Sequence, residues 1–488
     1  MSSTPEPTLV PAPPSADGLR ALMGEMEAEL ATRVCIVGGY VRDLVMGRTA
    51  NSDVDVVVEK VSAELAASWL RRRWQRREPV VAFERYGTAQ VSFLLSQGQR
   101  LTVEFVRARS EAYSRDSRKP TVRAGTMEED AIRRDFTINT LLLDSTGMVI
   151  DPTGRGLDDI RSQRLRTPLD PLLTFDEDPL RMFRAARFAS QLGFTPEPEV
   201  EAAMAQAAAR IEIVSRERIR DELVKLLLGA RPSLGLQLLL HTGLLAEAIP
   251  ALALLSGVEQ GGYHPDDVFD HTAMAVDLAP PQKLVRLAVL FHDVGKPQTA
   301  QTSPQGTTFL RHQQVGSEIA REVMSGLRFS GAEVEHVARL VELHMRPIQY
   351  RRDWADSAVR RLWHDAGPLV PQLLEVARAD TLASTYPGTG ELDELEGRMT
   401  TLAQEHPQGI RPPVGGNRLK AHFRLQDGPW IGRAQRLLME AMVEGRLDLD
   451  DGNPEGAALR LLEQEPASWQ PRRGEPGRSQ EDGSGAPR

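Results

Sequence analysis

Cysteine is nearly absent from this chain, which contains only Cys35 among its 488 residues. An intrachain disulfide is therefore excluded, and a single thiol in a chain of this length is typical of a reducing compartment. Aromatic residues are also scarce, at 5% of the chain, whereas hydrophobic residues make up 41%. We therefore expect a globular cytoplasmic protein.

Long hydrophobic runs are lacking as well. The most apolar region, residues 223–256, is interrupted by charged side chains and by Pro250. Because a membrane-spanning helix needs about 20 consecutive apolar residues, the sequence predicts none and no membrane partner. Residues 1–18 have no basic stretch followed by an apolar one, so they do not indicate a secretory signal.

Positive charge is not in excess either. The chain has 59 lysines and arginines against 68 aspartates and glutamates, which gives a formal net charge of −9. A protein of this sign does not attract nucleic acid through its overall charge, so an RNA partner would need local basic patches. Three stretches qualify, at residues 71–77, 107–123 and 216–225.

The length predicts about three or four domains, since one domain typically takes roughly 100–200 residues. Short valine-rich segments between residues 33 and 107 predict strands, and apolar residues at three- and four-residue spacing predict helices from 158 onward. The predicted fold class is an α+β head, with a small mixed sheet and helices, followed by mostly all-α regions. The predicted boundaries are a disordered leader at 1–18, the head at 19–157, a helical neck and RNA-binding region at 158–262, a second helical domain at 265–385, a C-terminal helical region at 386–465 and a disordered tail at 466–488.

Two aspartates follow a glycine turn in the head. Gly38 and Gly39 end a predicted strand, a short helix carries Arg42, and the next strand carries Asp53 and Asp55. Alternation along a strand places both carboxylates on one face, where they repel unless a cation lies between them. Mg²⁺ takes such carboxylates together with phosphate oxygens, and two ions can hold the reacting oxygens of a phosphoryl transfer. Glycine lets backbone amides approach a triphosphate, and the Arg42 guanidinium can neutralise it.

These residues belong to a series of motifs. GGYVRD at 38–43 and DVD at 53–55 are followed by RRDFTIN at 133–139, by segment 151–159, and by EDPLRMFRAARF at 177–188. In order and spacing they resemble the class II tRNA nucleotidyltransferase and poly(A) polymerase family. Thr140 departs from that pattern, because the family usually has alanine there. Glu104, on the predicted strand LTVEFVR, is either a third carboxylate or a charged residue on a sheet face.

A protein template for C and A is predicted on one helix, where Asp178, Arg181, Arg184 and Arg187 recur every three residues. Cytosine and adenine each present an amine beside an unprotonated ring nitrogen, so a carboxylate can accept from the first and a guanidinium can donate to the second. Guanine and uracil present the reverse pattern. The resemblance implies that Asp178 and Arg181 read the base. It also implies that Arg134, Arg184 and Arg187 position the nucleotide, while Asp135 and Asn139 order the site.

A second set of candidate ligands lies between residues 265 and 385. His271, the adjacent pair His292 and Asp293, and Asp380 resemble the metal ligands of the HD phosphohydrolase superfamily. Imidazoles and carboxylates bind divalent transition metals such as Ni²⁺, Co²⁺ or Mn²⁺, and a bound metal activates water. His312 and His344 are expected beside them, to bind a second metal or the substrate phosphate, and Lys296 is expected to neutralise phosphate charge.

The sequence thus predicts a template-independent enzyme that adds C, A or both to a tRNA 3′ end from CTP and ATP, with an accessory HD phosphohydrolase. Poly(A) addition and A-only addition stay open, as does a phosphohydrolase whose head only binds RNA. The segment from Glu111 to Pro120 resembles the family's flexible loop, which lets one site switch from C to A. Its presence argues against CC-only addition.

Overall fold

The computed structural model describes residues 16–48, 53–83, 87–94, 100–112, 121–261, 264–304, 306–386, 388–405, 411–447 and 452–471. The chain divides into two compact units, Met1–Ala253 and Leu254–Arg488. We describe each unit by itself.

The first unit is built on a mixed sheet. Its strands are β1 (Val34–Val37), β2 (Asp53–Val58), β3 (Val80–Phe83), β4 (Thr88–Leu94), β5 (Arg100–Arg107), β6 (Arg109–Ala112), β7 (Thr121–Ala124), β8 (Leu142–Leu143), β9 (Val149–Ile150), β10 (Arg164–Leu165) and β11 (Thr195–Pro196). Seven of them form one sheet in the order β3-β4-β5-β2-β1-β8-β9. Only β2 and β5 are parallel within that sheet, and their register sets Asp55 opposite Glu104.

Helices cover this sheet and extend beyond it. They are α1 (Ala16–Leu30), α2 (Gly39–Val45), α3 (Ala63–Arg73), α4 (Met127–Ile132), α5 (Gly156–Arg161), α6 (Pro171–Glu177), α7 (Leu180–Leu192), α8 (Pro198–Ala207), α9 (Arg216–Leu227), α10 (Pro232–His241), α11 (Leu244–Ala248) and α12 (Pro250–Ala253). The apolar face of α1 buries Leu19, Leu22, Met23 and Met26, and α1 packs on β1 and α3.

α7 carries Arg181, Arg184 and Arg187 of the predicted template and packs against both α9 and α10. Gly235 of α10 permits this packing, because a Cβ there would lie 2.5 Å from the backbone oxygen of Ala186. Such contact between backbones is possible only where one residue has no side chain. The position of α7 therefore depends on a glycine in its neighbour.

The second unit is helical apart from two hairpins. Its elements are β12 (Glu259–Gly261), β13 (His264–Asp267), α13 (Val268–Leu278), α14 (Lys283–Phe291), α15 (Lys296–Thr299), β14 (Ala300–Ser303), β15 (Gly306–Phe309), α16 (His312–Gly326), α17 (Gly331–Leu343), α18 (Met345–Ile348), α19 (Asp356–Ala366), α20 (Val370–Leu382), α21 (Gly390–Glu405), α22 (Gly416–Phe423), α23 (Trp430–Val443), α24 (Pro454–Gln464) and α25 (Pro466–Trp469). α14 contacts α13, α17 and α20.

The predicted fold class, a mixed-sheet head followed by helical regions, is confirmed. Two boundaries differ from the expectation. α1 begins at Ala16, inside the segment 1–18 assigned to the leader, because its buried face anchors it. The tail boundary at 466 needs correction, since Trp469 of α25 is fully buried against Trp430 in the C-terminal core. Among the described residues, no helix is long and apolar enough to cross a membrane.

Candidate active sites

A polar pocket of about 560 Å³ opens in the first unit. It is lined by Gly38, Gly39, Asp55 and Asn139 together with many arginines. The arginines in its lining are Arg42, Arg109, Arg133, Arg134, Arg181, Arg184, Arg187 and Arg218, against the aspartates Asp55, Asp135 and Asp178. The excess of positive charge fits a polyanionic ligand such as a nucleoside triphosphate.

Gly38 keeps the floor of this pocket open. Its backbone has φ +78°, and a Cβ there would lie 3.3 Å from both Arg134 Nη1 and Asp55 Oδ2. A larger residue would be strained in this left-handed conformation and would fill the space beside the carboxylate. The glycine therefore leaves room for a ligand next to Asp55.

Three carboxylates lie on the neighbouring strands β2 and β5. Asp53 is exposed and Asp55 half-buried, on alternate positions of β2, and Glu104 lies opposite Asp55 on β5. Burial raises the pKa of Asp55, with Asp53 adding to the effect and the charge of Arg134 opposing it. Burial and the Asp55 charge likewise raise the pKa of Glu104. The carboxylates of Asp53 and Asp55 are oxygen donors of the kind that a divalent cation takes together with phosphate oxygens.

A buried hydrogen-bond network lies behind the carboxylates. Arg184 Nε donates to Asp135 Oδ2 at 2.6 Å, and Asn139 Nδ2 donates to Asp135 Oδ1 at 2.9 Å. Arg42 Nη1 donates to Asn139 Oδ1 at 2.9 Å, while its other nitrogens contact Asp43. Burial opposes ionisation of Asp135, but Arg184 and Asn139 outweigh it and hold the pKa well below its usual range. Arg42, expected to neutralise a triphosphate, is thus engaged by Asp43 and Asn139.

The predicted helix from Asp178 to Arg187 is interrupted. Arg181, Arg184 and Arg187 lie on α7, but Asp178 lies between α6 and α7 with an extended backbone. Pro179 explains the correction, because a residue before proline is disfavoured in the helical conformation. Asp178 Oδ1 instead accepts a hydrogen bond from Leu180 N at 3.2 Å, so the carboxylate caps the start of α7.

Arg181 is held by backbone oxygens. Its Nη2 donates to Arg133 O at 2.7 Å, and its Nη1 lies 3.3 Å from both Thr174 O and Glu177 Oε2. These contacts fix the guanidinium at the pocket wall near Asp178. The two side chains expected to read the base therefore line one pocket.

The second unit brings seven predicted residues together. The potential ligand atoms of His271, His292 and Asp293 lie within 4.8 Å of one another, and so do those of Asp293, His312 and His344. Asp380 Oδ1 lies 3.0 Å from His271 Nε2 and 3.8 Å from His292 Nε2. Lys296 Nζ donates to Asp293 Oδ2 at 2.6 Å. One cluster is thus formed by side chains that lie on, or directly after, the helices α13, α14, α15, α16, α17 and α20.

The four histidines present the same nitrogen to the centre. The Nδ1 atoms of His271, His292, His312 and His344 lie 3.3, 2.7, 2.9 and 2.6 Å from backbone oxygens. Only an N–H group donates to a carbonyl, so in the neutral rings the lone pairs are on Nε2. His312 Nε2 and His344 Nε2 are 3.4 Å apart, and His292 Nε2 lies 3.1 Å from Asp293 Oδ2. Facing lone pairs with outward-anchored rings fit a bound divalent metal.

The pKa values of two histidines in this cluster shift in opposite directions. Burial, with the nearby His292 and His312, lowers the pKa of His344 to about 3. Burial also opposes a proton on His292, but Asp293 and Asp380 outweigh it and raise that pKa to about 9. The carboxylates therefore attract positive charge to the Nε2 side of His292, where a metal would replace the proton.

A glycine pair fixes the spacing of these ligands. A Cβ at Gly295 would lie 2.2 Å from His312 O and 2.6 Å from the Gly316 nitrogen. The turn that follows His292 and Asp293 consequently packs directly on the backbone of α16, which begins at His312.

Family models match three parts of the chain. Residues 34–166 match the poly A polymerase head domain, residues 193–255 the probable RNA and SrmB-binding site of polymerase A, and residues 262–385 the HD domain. A CC-adding tRNA nucleotidyltransferase of Thermus thermophilus is 35% identical over 438 residues, which cover 87% of this chain and 92% of that protein. This chain belongs to the tRNA nucleotidyltransferase family.

A second relative and a solved structure agree with the assignment of this chain to the tRNA nucleotidyltransferase family. An A-adding tRNA nucleotidyltransferase of Deinococcus radiodurans is 35% identical over 362 residues, covering 70% of this chain and 81% of that protein. The crystal structure of the Bacillus stearothermophilus CCA-adding enzyme with CTP has the same fold, with a TM-score of 0.67 at 23% identity over 93% of this chain and all of that one. The predicted nucleotidyltransferase activity is confirmed, and both domain types imply dependence on divalent metals.

Sequence reasoning missed two contacts of this nucleotidyltransferase, both from α9. Glu222 is buried and its Oε2 lies 3.0 Å from Arg187 Nε, and Arg218 Nη2 donates to Asp178 Oδ2 at 3.0 Å. Burial and the Arg184 charge lower the pKa of Arg187 to about 10, although Glu222 opposes the effect. The stretch 216–225 was considered only as a basic patch. Helical spacing of Arg218 and Glu222, four residues apart, was the available signal.

Proposed function

We propose that this enzyme adds C and A nucleotides to the 3′ end of tRNA from CTP and ATP, without a nucleic-acid template. The observation that carries the proposal is one pocket lined by Asp55, by the arginine-rich wall and by the pair Asp178 and Arg181. One proposed catalytic carboxylate, the phosphate-binding charge and the base-reading groups therefore share one cavity. We also propose a cytoplasmic location, where tRNA, CTP and ATP are found.

The chemistry follows from what these side chains offer. The RNA 3′-hydroxyl group releases its proton to water, and its oxygen forms a bond to the α-phosphorus. The bond between the α-phosphorus and the oxygen that bridges to the β-phosphorus breaks, so pyrophosphate leaves. Mg²⁺, held by Asp53 and Asp55, would stabilise charge on the reacting oxygens when bound. Asp55 is also near the Arg134 guanidinium, which supplies a fixed positive charge beside the triphosphate. Arg184 and Asp135 keep the wall of the pocket in place.

Base selection is assigned to Asp178 and Arg181. An ionised carboxylate only accepts and a guanidinium only donates, which matches the amine and ring nitrogen of cytosine and adenine. Guanine and uracil would place an acceptor at Asp178 and a donor at Arg181. Each unpaired polar group costs roughly 1–3 kcal/mol, enough for selection without a template.

The extent of addition is the open part of this proposal. The relatives named above include a CC-adding and an A-adding enzyme. The loop resemblance at 111–120 favours addition of A as well as C, and residues 113–120 lie outside the described part of the chain. The test is incubation with tRNAs lacking CCA, CA or A, using labelled CTP or ATP. Extension of all three substrates to the full end supports CCA addition, extension of the last alone shows an A-adding enzyme, and long A tails show a poly(A) polymerase.

We further propose a second activity in the HD domain, a metal-dependent phosphohydrolase acting on 2′,3′-cyclic or terminal phosphates. The observation that favours it is the pair of ligand clusters around Asp293, in which the Nδ1 atoms of all four histidines lie near backbone oxygens and leave Nε2 for a metal ion. Ni²⁺, Co²⁺ or Mn²⁺ would activate water there when bound. Lys296 is placed to neutralise substrate phosphate. Hydrolysis of a cyclic-phosphate substrate with each metal, by the unaltered enzyme and by Asp293→Ala, tests it. Undiminished hydrolysis by the variant would refute the proposed site.

A further inference from the structure

Asp178 makes two protein contacts that fix its orientation. Oδ1 accepts from the backbone nitrogen of Leu180 at 3.2 Å, and Oδ2 accepts from Arg218 Nη2 at 3.0 Å. A carboxylate offers about four lone-pair positions, so roughly two are still available for a ligand. With one oxygen bound on each side, the carboxylate plane cannot rotate without breaking a hydrogen bond.

Arg218 comes from a different element than the residues it serves. It is in the first full turn of α9, which packs on α7. Arg218 and Glu222 are four residues apart and therefore lie on one face of α9. That face contacts the pocket twice, since Arg218 pairs with Asp178 and Glu222 pairs with Arg187. α9 thus forms a second layer behind the pocket.

We propose that Arg218 is a positioning residue for base selection, which acts by holding the Asp178 carboxylate in the orientation that accepts from the amine of C or A. The inference rests on the proposed role of Asp178. Arg218 also lines the pocket, with its side chain 53% exposed, so it reaches Asp178 from the solvent side while Leu180 N binds from the helix side. Together, Arg218 and the backbone nitrogen of Leu180 would direct the remaining lone pairs of the Asp178 carboxylate toward the edge of the base.

The alternative for Arg218 is contact with RNA phosphates. α9 lies within the part of the chain that matches an RNA-binding family model, and an exposed arginine suits a phosphate. The two roles differ in what a substitution changes. Loss of a carboxylate-positioning group weakens nucleotide selection, whereas loss of a phosphate contact weakens tRNA binding for every nucleotide alike.

The test compares Arg218→Gln with Arg161→Gln, a control on α5 whose side chain is 74% exposed and whose guanidinium donates to Asp158. KM and kcat for CTP, ATP and UTP are measured at saturating tRNA lacking CCA, and tRNA affinity is measured without nucleotide. For Arg218→Gln we expect KM for CTP and ATP to rise about three- to tenfold, preference over UTP to fall by a similar factor, and kcat to change less than about twofold. Arg218→Lys should restore part of the loss.

Asp178→Ala is measured alongside. If Asp178→Ala loses selection while Arg218→Gln matches the control, or if Arg218→Gln changes tRNA affinity alone, the positioning role is wrong and the base-reading role of Asp178 stands. If Asp178→Ala keeps full selection, the base is read elsewhere and the proposed function itself needs revision. A double variant no worse than Asp178→Ala alone would support action through the carboxylate.

Discussion

Phe188 holds three arginines of the pocket in one group. The guanidinium carbons of Arg42, Arg184 and Arg187 lie 5.3, 5.6 and 4.3 Å from the centre of its ring. An aromatic face attracts cations, which offsets part of their mutual repulsion. Glu222 offsets more of it, because its buried carboxylate is the one that meets Arg187. The arrangement of the proposed phosphate-binding arginines therefore depends on Phe188 and Glu222.

This dependence predicts a large effect of Glu222→Gln on stability. The substitution leaves Arg187, whose side chain is 12% exposed, without its ion-pair partner. Removing one member of a buried pair costs about 3–5 kcal/mol of unfolding free energy. Urea denaturation followed by circular dichroism measures it, with Glu217→Gln on the exposed side of α9 as control. A loss no larger than that of the control would contradict the role of Glu222.

A second residue-scale prediction concerns Asp55. Asp55→Asn keeps the shape of the side chain but removes the charge that a metal ion needs, so we expect nucleotide addition to fall by about a thousandfold or more. Asp53→Ala and Asp55→Ala are expected to abolish addition with little effect on folding. Asp158→Asn, at an exposed site on α5, serves as control. Addition by Asp55→Asn at the rate of that control would exclude the proposed mechanism.

Arg181 is expected to control which nucleotide enters. Arg181→Ala removes the donor that the ring nitrogen of C or A requires, so incorporation of GTP and UTP should approach that of CTP and ATP. Addition assays with each of the four nucleotides measure the ratio, and a metal titration checks that the carboxylate site is intact. Full exclusion of GTP and UTP by the variant would place the template elsewhere.

At the scale of elements, the packing of α10 on α7 controls the same pocket. We expect Gly235→Ala to destabilise the protein by about 1–3 kcal/mol, because the new methyl group would meet Ala186 O and the Leu226 side chain. The displacement should also raise KM for CTP and ATP, since α7 carries Arg181 and Arg184.

Gly24→Ala is the matched control for Gly235→Ala. Gly24 lies within α1 and no atom would lie within 4 Å of its added Cβ. Alanine is the better helix former, so this variant should gain up to about 1 kcal/mol. Thermal melts measure the stability of both variants, and addition kinetics measure their KM for CTP and ATP. Equal stability of the two variants would contradict the prediction, because it would show that α10 can move away from α7 with no loss of unfolding free energy.

Elements also show where sequence reasoning succeeded. Strands β1, β2, β4 and β5 were predicted from valine-rich segments, because buried strands have a composition that differs from that of helices. The break at Asp178 was missed, although Pro179 signals it. For the contact of Arg218 with Asp178, the sequence offers only the four-residue spacing of Arg218 and Glu222, because the contact itself depends on the packing of α9 against α7. Burial of Trp469 depends in the same way on a core assembled from distant residues.

At the scale of the whole molecule, each compact unit carries one candidate metal site. The chain divides between Ala253 and Leu254, the carboxylates of β2 lie before that division, and the histidine cluster lies after it. The sequence predicted both candidate ligand sets, because Asp53 with Asp55 and His292 with Asp293 form short local motifs, and the family resemblance added the distant His271 and Asp380. It did not predict the tautomers of the histidines, which depend on backbone oxygens from the ends of helices.

Two metal sites in two units predict separable effects on stability. Ni²⁺ at about 100 times its dissociation constant should add about 2.7 kcal/mol to the unfolding free energy of the unit that binds it. Hydrogen exchange by peptide, with Ni²⁺ or with a chelator, should show added protection within residues 264–386. Asp293→Ala should lose the effect. Protection confined to peptides before Ala253 would contradict the assignment of the histidine cluster as a metal site.

The contact between Gly295 and Gly316 has a consequence for mutational screens. Neither residue has a side chain that could bind anything, yet any substitution at Gly295 would separate Asp293 from His312. In a saturation library selected for hydrolysis by the HD domain, Gly295 should tolerate as few replacements as the histidines do. A map of intolerant positions from such a library would therefore include Gly295, which has no side chain to contact the substrate. The distances from a Gly295 Cβ to the backbone of α16 predict this intolerance.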